Sequence, residues 1–128
     1  MAEAELTLTL APERFAVCRL APDAPIPPLP LGRSLLALAL TSDELSLVLP
    51  EDSAPEGATI EGGWRALRVA GPLDFGLTGV LASLAQPLAD ARLSLFAIST
   101  FDTDYLLVRD ATLSEALAAL RAAGHHIA

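Results

Sequence analysis

Residues 64–108 of the 128-residue chain read WRALRVAGPLDFGLTGVLASLAQPLADARLSLFAISTFDTDYLLV, and they alternate between strand and helix patterns. Residues 64–69 predict a strand that ends before Gly71 and Pro72. Apolar residues then recur at helical spacing and predict an amphipathic helix over residues 77–90; they are Leu77, Val80, Leu81, Leu84 and Leu88. Pro87 is expected to kink this helix or to end it early, because proline has no backbone N–H to donate.

A hairpin is predicted after this helix, with strands at residues 93–98 and 105–108 and a tight turn at Asp102 and Thr103. Asp102 and Asp104 form a D-x-D pair beside this two-residue turn. Aspartate is favoured in turns for its own backbone hydrogen bonding, whereas in other proteins such a pair holds a metal ion. The residues alone leave turn chemistry, ligand contact and, less favoured, metal binding open.

A second helix and a last strand complete the pattern. Thr112 and Glu115 have the spacing of a capping box at the start of a helix, and Gly124 is a suitable residue to end it. A short strand follows at residues 125–127, so the order from residue 64 is strand, helix, strand, strand, helix, strand. Because both crossovers must be right-handed, this order predicts an α+β, ferredoxin-like fold with two helices on one face of an antiparallel sheet.

The N-terminal half predicts strands and loops. An alternating segment, a second apolar segment and two further strands are expected at residues 5–10, 14–20, 34–40 and 44–49. Five prolines fall in residues 22–32, which are expected to lack regular structure because proline donates no backbone hydrogen bond. Residues 50–57 are rich in acid, proline and glycine, and they predict a boundary between one domain at 1–58 and another at 59–128.

Composition excludes several functions. The chain has 16 acidic and 8 basic residues, a net charge of −8, and every basic residue is arginine. Without lysine or asparagine it has no Schiff-base lysine, P-loop lysine or Cys-His-Asn protease site. The acidic surface argues against nucleic acid. Cys18 is the single cysteine. His125 and His126 would point to opposite faces of a strand, where we expect surface positions or a contact at the sheet edge, and no shared metal.

A cytoplasmic location and no membrane partner are also expected. The first ten residues contain two acidic residues and no basic residue, unlike the start of a secretory signal. The longest uncharged stretch, residues 75–89, is shorter than the ~20 apolar residues that cross a bilayer.

Three segments resemble a family of small bacterial ACT-domain proteins. They are GPLDFGLTGV at 71–80, LAQPLA at 84–89 and FAISTFDTDYLLV at 96–108, and the same segments are similar to the ACT domains of the eukaryotic cytosolic arginine sensor. The resemblance covers nearly the whole chain. It implies two tandem ACT-like units, a rudimentary, mostly β unit at 1–58 and a complete βαββαβ unit at 59–128.

The resemblance further implies a site for an amino acid or a similar small effector. Its candidate residues lie before the first helix and in the hairpin: Asp74, Phe75, Gly76, Leu77, Thr78, Gly79, Ser99, Thr100, Phe101, Thr103 and Asp104. Backbone N–H groups after Asp74 would meet a carboxylate, and the two glycines would let the ligand approach. Asp104 would meet an ammonium or a cationic side chain, while Phe75 and Phe101 would wall the aliphatic part. No cofactor is expected.

The resemblance implies a homodimer as well, and the pocket would be completed by the rudimentary unit or by a second subunit. Alternatives stay open. Gly76 and Gly79 would equally serve helix entry and tight packing. The chain would then be an interaction module that binds no ligand. Less favoured is a small lyase or isomerase with Asp102 or Asp104 as base, since no second catalytic group or cofactor motif accompanies them. Ser99 and Thr100 have no histidine nearby to act as a base.

Overall fold

The computed structural model describes residues 5–71 and 79–128, and within them no helix is long and apolar enough to cross a membrane. The chain divides into two compact units. The terminal unit comprises residues 1–12 and 65–128, and the inserted unit comprises residues 13–64. The predicted boundary between residues 58 and 59 separates two ACT-like units that follow one another along the chain. The compact units are defined differently, so this boundary stays a prediction.

Two long strands belong partly to each unit. Strand β1 (Thr7–Leu20) is continuous through the two apolar segments that the sequence separates, and strand β4 (Thr59–Val69) begins earlier than predicted. Both strands change unit beside a residue that interrupts strand regularity. Pro12 of β1 has no N–H for a sheet hydrogen bond, and Gly63 of β4 has a φ of +79°.

The terminal unit has the predicted α+β, ferredoxin-like architecture. It contains the first part of β1, the second part of β4, α1 (Val80–Asp90), β5 (Leu95–Ser99), β6 (Asp104–Arg109), α2 (Leu113–Ala122) and β7 (His126–Ile127). The strand order is β7-β1-β4-β6-β5. Strand β7 runs parallel to β1, where Thr7 pairs with His126 and Leu8 with Ile127. The start of β1 therefore lies between β4 and β7, and the described part of this unit contributes five strands to the sheet, where the sequence predicts four.

One core joins this sheet to both helices. Its buried residues come from three strands, β1, β4 and β6, and from both helices: Leu8, Leu67, Val69, Leu84, Leu88, Leu106, Val108, Ala116 and Leu120. All are at most 1% exposed. Burying one leucine side chain contributes roughly 1.5–3 kcal/mol, so this cluster is the main source of stability in the unit.

Helix α1 continues through its proline. Gly79, in the left-handed region with a φ of +78°, precedes the helix, and Pro87 lies inside it without ending it early. The predicted early end is wrong because Pro87 removes only one hydrogen bond, the one that an N–H at position 87 would donate to the carbonyl of Ser83 four residues earlier. The Ser83 carbonyl therefore needs a donor from elsewhere.

His125 supplies that donor. Its Nε2 lies 2.9 Å from the Ser83 carbonyl oxygen, and its Nδ1 accepts a hydrogen bond of 3.2 Å from the N–H of Leu6. A neutral imidazole has one donor and one acceptor, so the proton is on Nε2. His125 is 4% exposed, so the expected surface position is wrong for this residue, because both ring nitrogens are needed inside the unit. Its hydrogen bond with Leu6 lies at the edge where β7 pairs with β1. His126 is exposed, as expected.

Helix α2 begins without the predicted capping box. Thr112 occupies the N-cap position, but its side chain makes no capping hydrogen bond. The chain already coils into a 3-10 turn over Asp110–Thr112, and the N–H of Leu113 donates to the Asp110 carbonyl. Because this turn satisfies a backbone group that a cap would satisfy, the hydroxyl of Thr112 is not needed there.

The inserted unit, all of whose residues are described, contains strands and no α-helix. Its strand order is β2 (Ala37–Leu40), β3 (Leu45–Pro50), β1 and β4, with a 3-10 turn at Glu51–Ser53. A small core joins β1 to β3 through Ala16, Cys18, Leu47 and Leu49. Burial raises the pKa of the Cys18 thiol, which fits a small apolar core residue better than a reactive one.

A carboxylate holds the loop before β2 against β1. Glu13 accepts hydrogen bonds from the Ser34 hydroxyl at 2.6 Å and the Ser34 N–H at 3.1 Å. The Arg33 guanidinium lies 3.5 Å from Glu13 and 3.4 Å from Asp52. Burial by itself raises the pKa of Glu13, but the hydrogen bonds from Ser34 and the charge of Arg33 outweigh it, so the pKa is lowered.

His125→Leu removes both ring nitrogens but keeps a bulky side chain. We expect it to lower the free energy of unfolding by about 2–4 kcal/mol, because two backbone groups lose their partners. In a Pro87→Ala background, residue 87 donates to the Ser83 carbonyl, and the same substitution is expected to cost ~1 kcal/mol less. Urea denaturation of the four chains measures this coupling. His126→Ala is the exposed control, with a change within about 0.5 kcal/mol; equal effects of the two histidine substitutions would contradict the assignment.

Glu13→Gln is expected to lower the free energy of unfolding by ~1 kcal/mol at pH 7. The lowered pKa of Glu13 stabilises the folded chain above the ordinary value of 4.5, and this contribution is lost as the pH falls through the folded-state pKa. Denaturation of both chains between pH 7 and pH 3 should therefore show a difference that is constant near neutrality and shrinks below about pH 4.5. A difference independent of pH would exclude the carboxylate as its cause.

Candidate functional site

The hairpin between β5 and β6 has a four-residue turn. Ser99 and Asp104 are the last paired residues of the two strands. Inside the turn, the Thr100 N–H donates to the Thr103 carbonyl at 2.9 Å, and the Thr100 hydroxyl donates to the same oxygen at 2.8 Å. The Thr103 N–H in turn donates to the Thr100 hydroxyl at 3.3 Å. The predicted two-residue turn at Asp102 and Thr103 is wrong, because the Thr100 side chain closes a wider turn.

Thr103 attaches this turn to the end of β4. Its side chain is 3% exposed, and its hydroxyl donates to the Val69 carbonyl at 2.8 Å. Val69 is the last residue of β4, where the chain leaves towards α1. The hairpin turn is therefore fixed beside the start of the β4–α1 connection, and the Thr103 hydroxyl is already engaged within the fold.

The other residues at the turn differ in exposure. Phe101 is 80% exposed, and Asp102 is exposed as well. Asp104 is partly buried, and its carboxylate has no hydrogen-bond or ion-pair partner in the part of the chain that the structure describes. A partly buried carboxylate without a partner retains its capacity to accept several hydrogen bonds or to meet a cation.

The other half of the predicted site is described only at Gly79. Asp74, Phe75, Gly76, Leu77 and Thr78 lie outside the described residues. Gly79 takes a left-handed conformation at the N-cap of α1, and its carbonyl accepts the Ser83 N–H at 2.9 Å. A positive φ is strained for residues with a Cβ, so helix entry alone is a sufficient reason for glycine at this position.

The turn thus brings five predicted site residues together, namely Ser99, Thr100, Phe101, Thr103 and Asp104. Among the described residues, no group of three or more His, Cys, Asp and Glu side chains is arranged to hold a metal ion. The polar groups of the turn divide into two kinds. The threonine hydroxyls are used to build it, whereas the Phe101 ring is exposed and the Asp104 carboxylate has no partner among the described residues.

The terminal unit also has a cleft that was not predicted from the sequence. It has a volume of about 470 Å³ and is lined by Glu5, Arg121, Gly124, His125, His126 and Ile127. Glu5 and His126 lie 3.9 Å apart through their side chains. They come together only because β7 pairs with the start of β1, and no local pattern in the sequence signals that contact.

A family model for the ACT domain matches residues 59–122. Among characterised proteins, the cytosolic arginine sensor for mTORC1 subunit 1 of Homo sapiens is 48% identical over 46 residues, which is 35% of this chain and 14% of the sensor. The sensor of Rattus norvegicus is 42% identical over 52 residues. The match therefore involves a small part of each sensor's length.

Solved structures share the fold across the whole chain. A crystal structure of protein Atu0741 from Agobacterium tumefaciens superposes with a TM-score of 0.91 at 31% identity, over 98% of this chain and 94% of that one. Protein VC0802 of Vibrio cholerae gives a TM-score of 0.69 at 19% identity, over 94% of this chain and 91% of that one. Aspartate kinase of Clostridium acetobutylicum, described as an allosteric enzyme, gives 0.66 at 12% identity over 96% of this chain and 36% of that one. The last two likenesses concern the fold alone.

Thr103→Val is expected to lower the free energy of unfolding by about 1–2 kcal/mol, because it leaves the Val69 carbonyl without its donor while conserving the side-chain shape. Thr112→Val is the matched control, since the Thr112 side chain makes no capping hydrogen bond, and its effect should stay within ~0.5 kcal/mol. Thermal or urea unfolding measures both. If the two variants are equally stable, the Thr103 hydrogen bond does not fix the turn.

Proposed function

The chain belongs to the ACT-domain family, and we propose that it is a non-catalytic module that binds an amino acid, or a similar small effector, as a sensor or regulatory subunit. ACT domains are generally regulatory and non-catalytic. The model that matches covers half of the chain and includes β4, α1, the hairpin and α2. The proposal therefore concerns the unit that carries the predicted site.

The observation that carries this proposal is the carboxylate of Asp104, which has no partner among the described residues. Asp104 stands at the first position of β6, beside a turn that Thr103 fixes to β4, and it is partly buried. An ammonium group or a cationic side chain is the partner that such a group favours in a site from which water is displaced. Phe101, 80% exposed, would cover the aliphatic part of the ligand.

The ligand carboxylate would bind at the start of α1. Helix N-termini present backbone N–H groups without partners, and the helix dipole favours a negative charge there. Asp74 to Thr78 enter the proposal through the family resemblance, and Gly79 through its place before the first turn of α1. A zwitterion would thus be held at opposite ends, by the helix start and by Asp104.

A homodimer in the cytoplasm belongs to the same proposal. Its site would be completed by a second copy of the chain or by the N-terminal half. The net charge of −8 favours capture of cationic ligands, since the attraction raises their concentration near the surface. The similarity to the cytosolic arginine sensor supports a cationic amino acid as the first ligand to test.

A thermal-shift screen of the full chain against the twenty amino acids is the first test. A ligand at 100 times its Kd adds about 2.7 kcal/mol of stability, a shift of several degrees for a chain of this size. Asp104→Ala is expected to weaken binding of the stabilising amino acid at least about tenfold, which corresponds to loss of a charge-assisted contact worth ~1.4 kcal/mol or more. Titration calorimetry measures that change.

Asp102→Ala is the matched control, because Asp102 lies two residues away on the exposed part of the same turn. Its affinity should stay within about twofold of the parent chain. Equal losses in the two variants would contradict the role of Asp104. No stabilisation by any amino acid would contradict the proposal and favour an interaction module without ligand, whereas chemical conversion of a bound compound would favour a lyase or isomerase.

A further inference from the structure

The sequence of residues 24–30, the proline segment, restricts its backbone to extended conformations. Each of its seven residues is a proline or directly precedes one. Proline fixes its own φ near −65°, and it restricts the residue before it to extended conformations. Together these restraints favour the left-handed polyproline II helix, which has three residues per turn and no internal hydrogen bonds.

Burial along the proline segment has the period of that helix. Ala24, Pro27 and Pro30 are partly buried, while the residues between them are exposed. A spacing of three is that of one edge of a polyproline II helix, and the residues on this edge are the ones that the rest of the inserted unit partly covers. The expectation that residues 22–32 contain no helix or strand is confirmed, and the three-residue period of burial is that of an extended polyproline II conformation, which needs no backbone donors.

Two edges of the same helix face outward. Pro25 and Pro28 form one, which ends before a turn where the Leu31 N–H donates to the Leu29 carbonyl at 3.0 Å. Ile26 and Leu29 form the other, with 55% and 36% of their surface exposed. Beside them is a cleft of about 360 Å³ lined by Pro27, Pro28, Leu29, Pro30, Ser53 and Pro55. Ridges of apolar side chains at this spacing are the feature by which proline-rich ligands are recognised.

The proline segment is also anchored at its C-terminal end. Arg33 lies against Glu13 and Asp52, Ser34 is bonded to Glu13, and Leu35 is 6% exposed. A segment that is already ordered loses little conformational entropy when a partner binds it. The arginine is engaged in ion pairs, so recognition would rest on the apolar ridges.

We propose that the proline segment is a docking ligand for a protein partner that has a shallow groove of aromatic side chains with a basic rim. Aromatic grooves bind polyproline II ridges in several unrelated kinds of domain. A basic rim is required by charge, because the inserted unit has eight acidic residues against three arginines, a net charge of −5. This surface lies in the inserted unit, so the proposal is independent of amino-acid binding by the terminal unit.

Site-specific photocrosslinking in the native host tests the proposal. A benzoylphenylalanine replaces Leu29 in the full chain, and a second chain carries it at Ile60, which is 50% exposed in the same unit but outside the proline segment. We expect an adduct from position 29 that position 60 does not give, and its crosslinked peptide should contain tryptophan or tyrosine. An adduct with a second copy of this chain, an adduct without aromatic residues, or no adduct overturns the proposal.

The purified partner then allows a quantitative test. Pro25→Ala with Pro28→Ala removes one exposed ridge and leaves the partly buried Pro27 and Pro30 in place. We expect this variant to bind at least about tenfold more weakly than the parent chain. A synthetic peptide of residues 22–33 should compete, and salt should weaken binding. Unchanged affinity of the double variant overturns the proposal, and an unchanged unfolding temperature excludes misfolding as the cause of a loss.

Discussion

The terminal unit depends on a hydrogen bond that its own helix cannot make. Pro87 leaves the Ser83 carbonyl without a helical donor, and the ring of His125 donates to it from the far end of the chain. The other ring nitrogen accepts the N–H of Leu6. The buried imidazole of His125, the residue before β7, thus joins α1 to Leu6, the residue before β1. The parallel pairing of β7 with β1 follows directly after these contacts.

Local patterns in the sequence are sufficient for most elements of this unit and insufficient for its assembly. The spacing of Leu84 and Leu88 predicts α1, and the apolar segments of β5 and β6 predict the hairpin. No local pattern predicts that β1 lies between β4 and β7, because the pairing of β1 with β7 joins residues more than a hundred positions apart. The burial of His125 is hidden for the same reason, since its two partners belong to distant segments.

Errors within single elements have a common physical origin. The sequence suggests that Pro87 ends a helix and that Thr112 caps one. In both cases a backbone group finds a partner that local rules omit. His125 replaces the donor missing at Pro87, and a 3-10 turn replaces the Thr112 cap.

The sequence identifies the residues of the predicted site but not their roles. Those roles depend on which side chains already make hydrogen bonds within the fold. Polar groups inside proteins are almost all paired, so the exceptions indicate function. Thr100 and Thr103 have the right chemistry to bind a ligand, but their hydroxyls hold the turn together. The carboxylate of Asp104, which directly follows Thr103, has no partner among the described residues. Because the fold pairs the neighbouring hydroxyls and leaves the Asp104 carboxylate without a partner among the described residues, an external cation can add an interaction there that these residues do not supply.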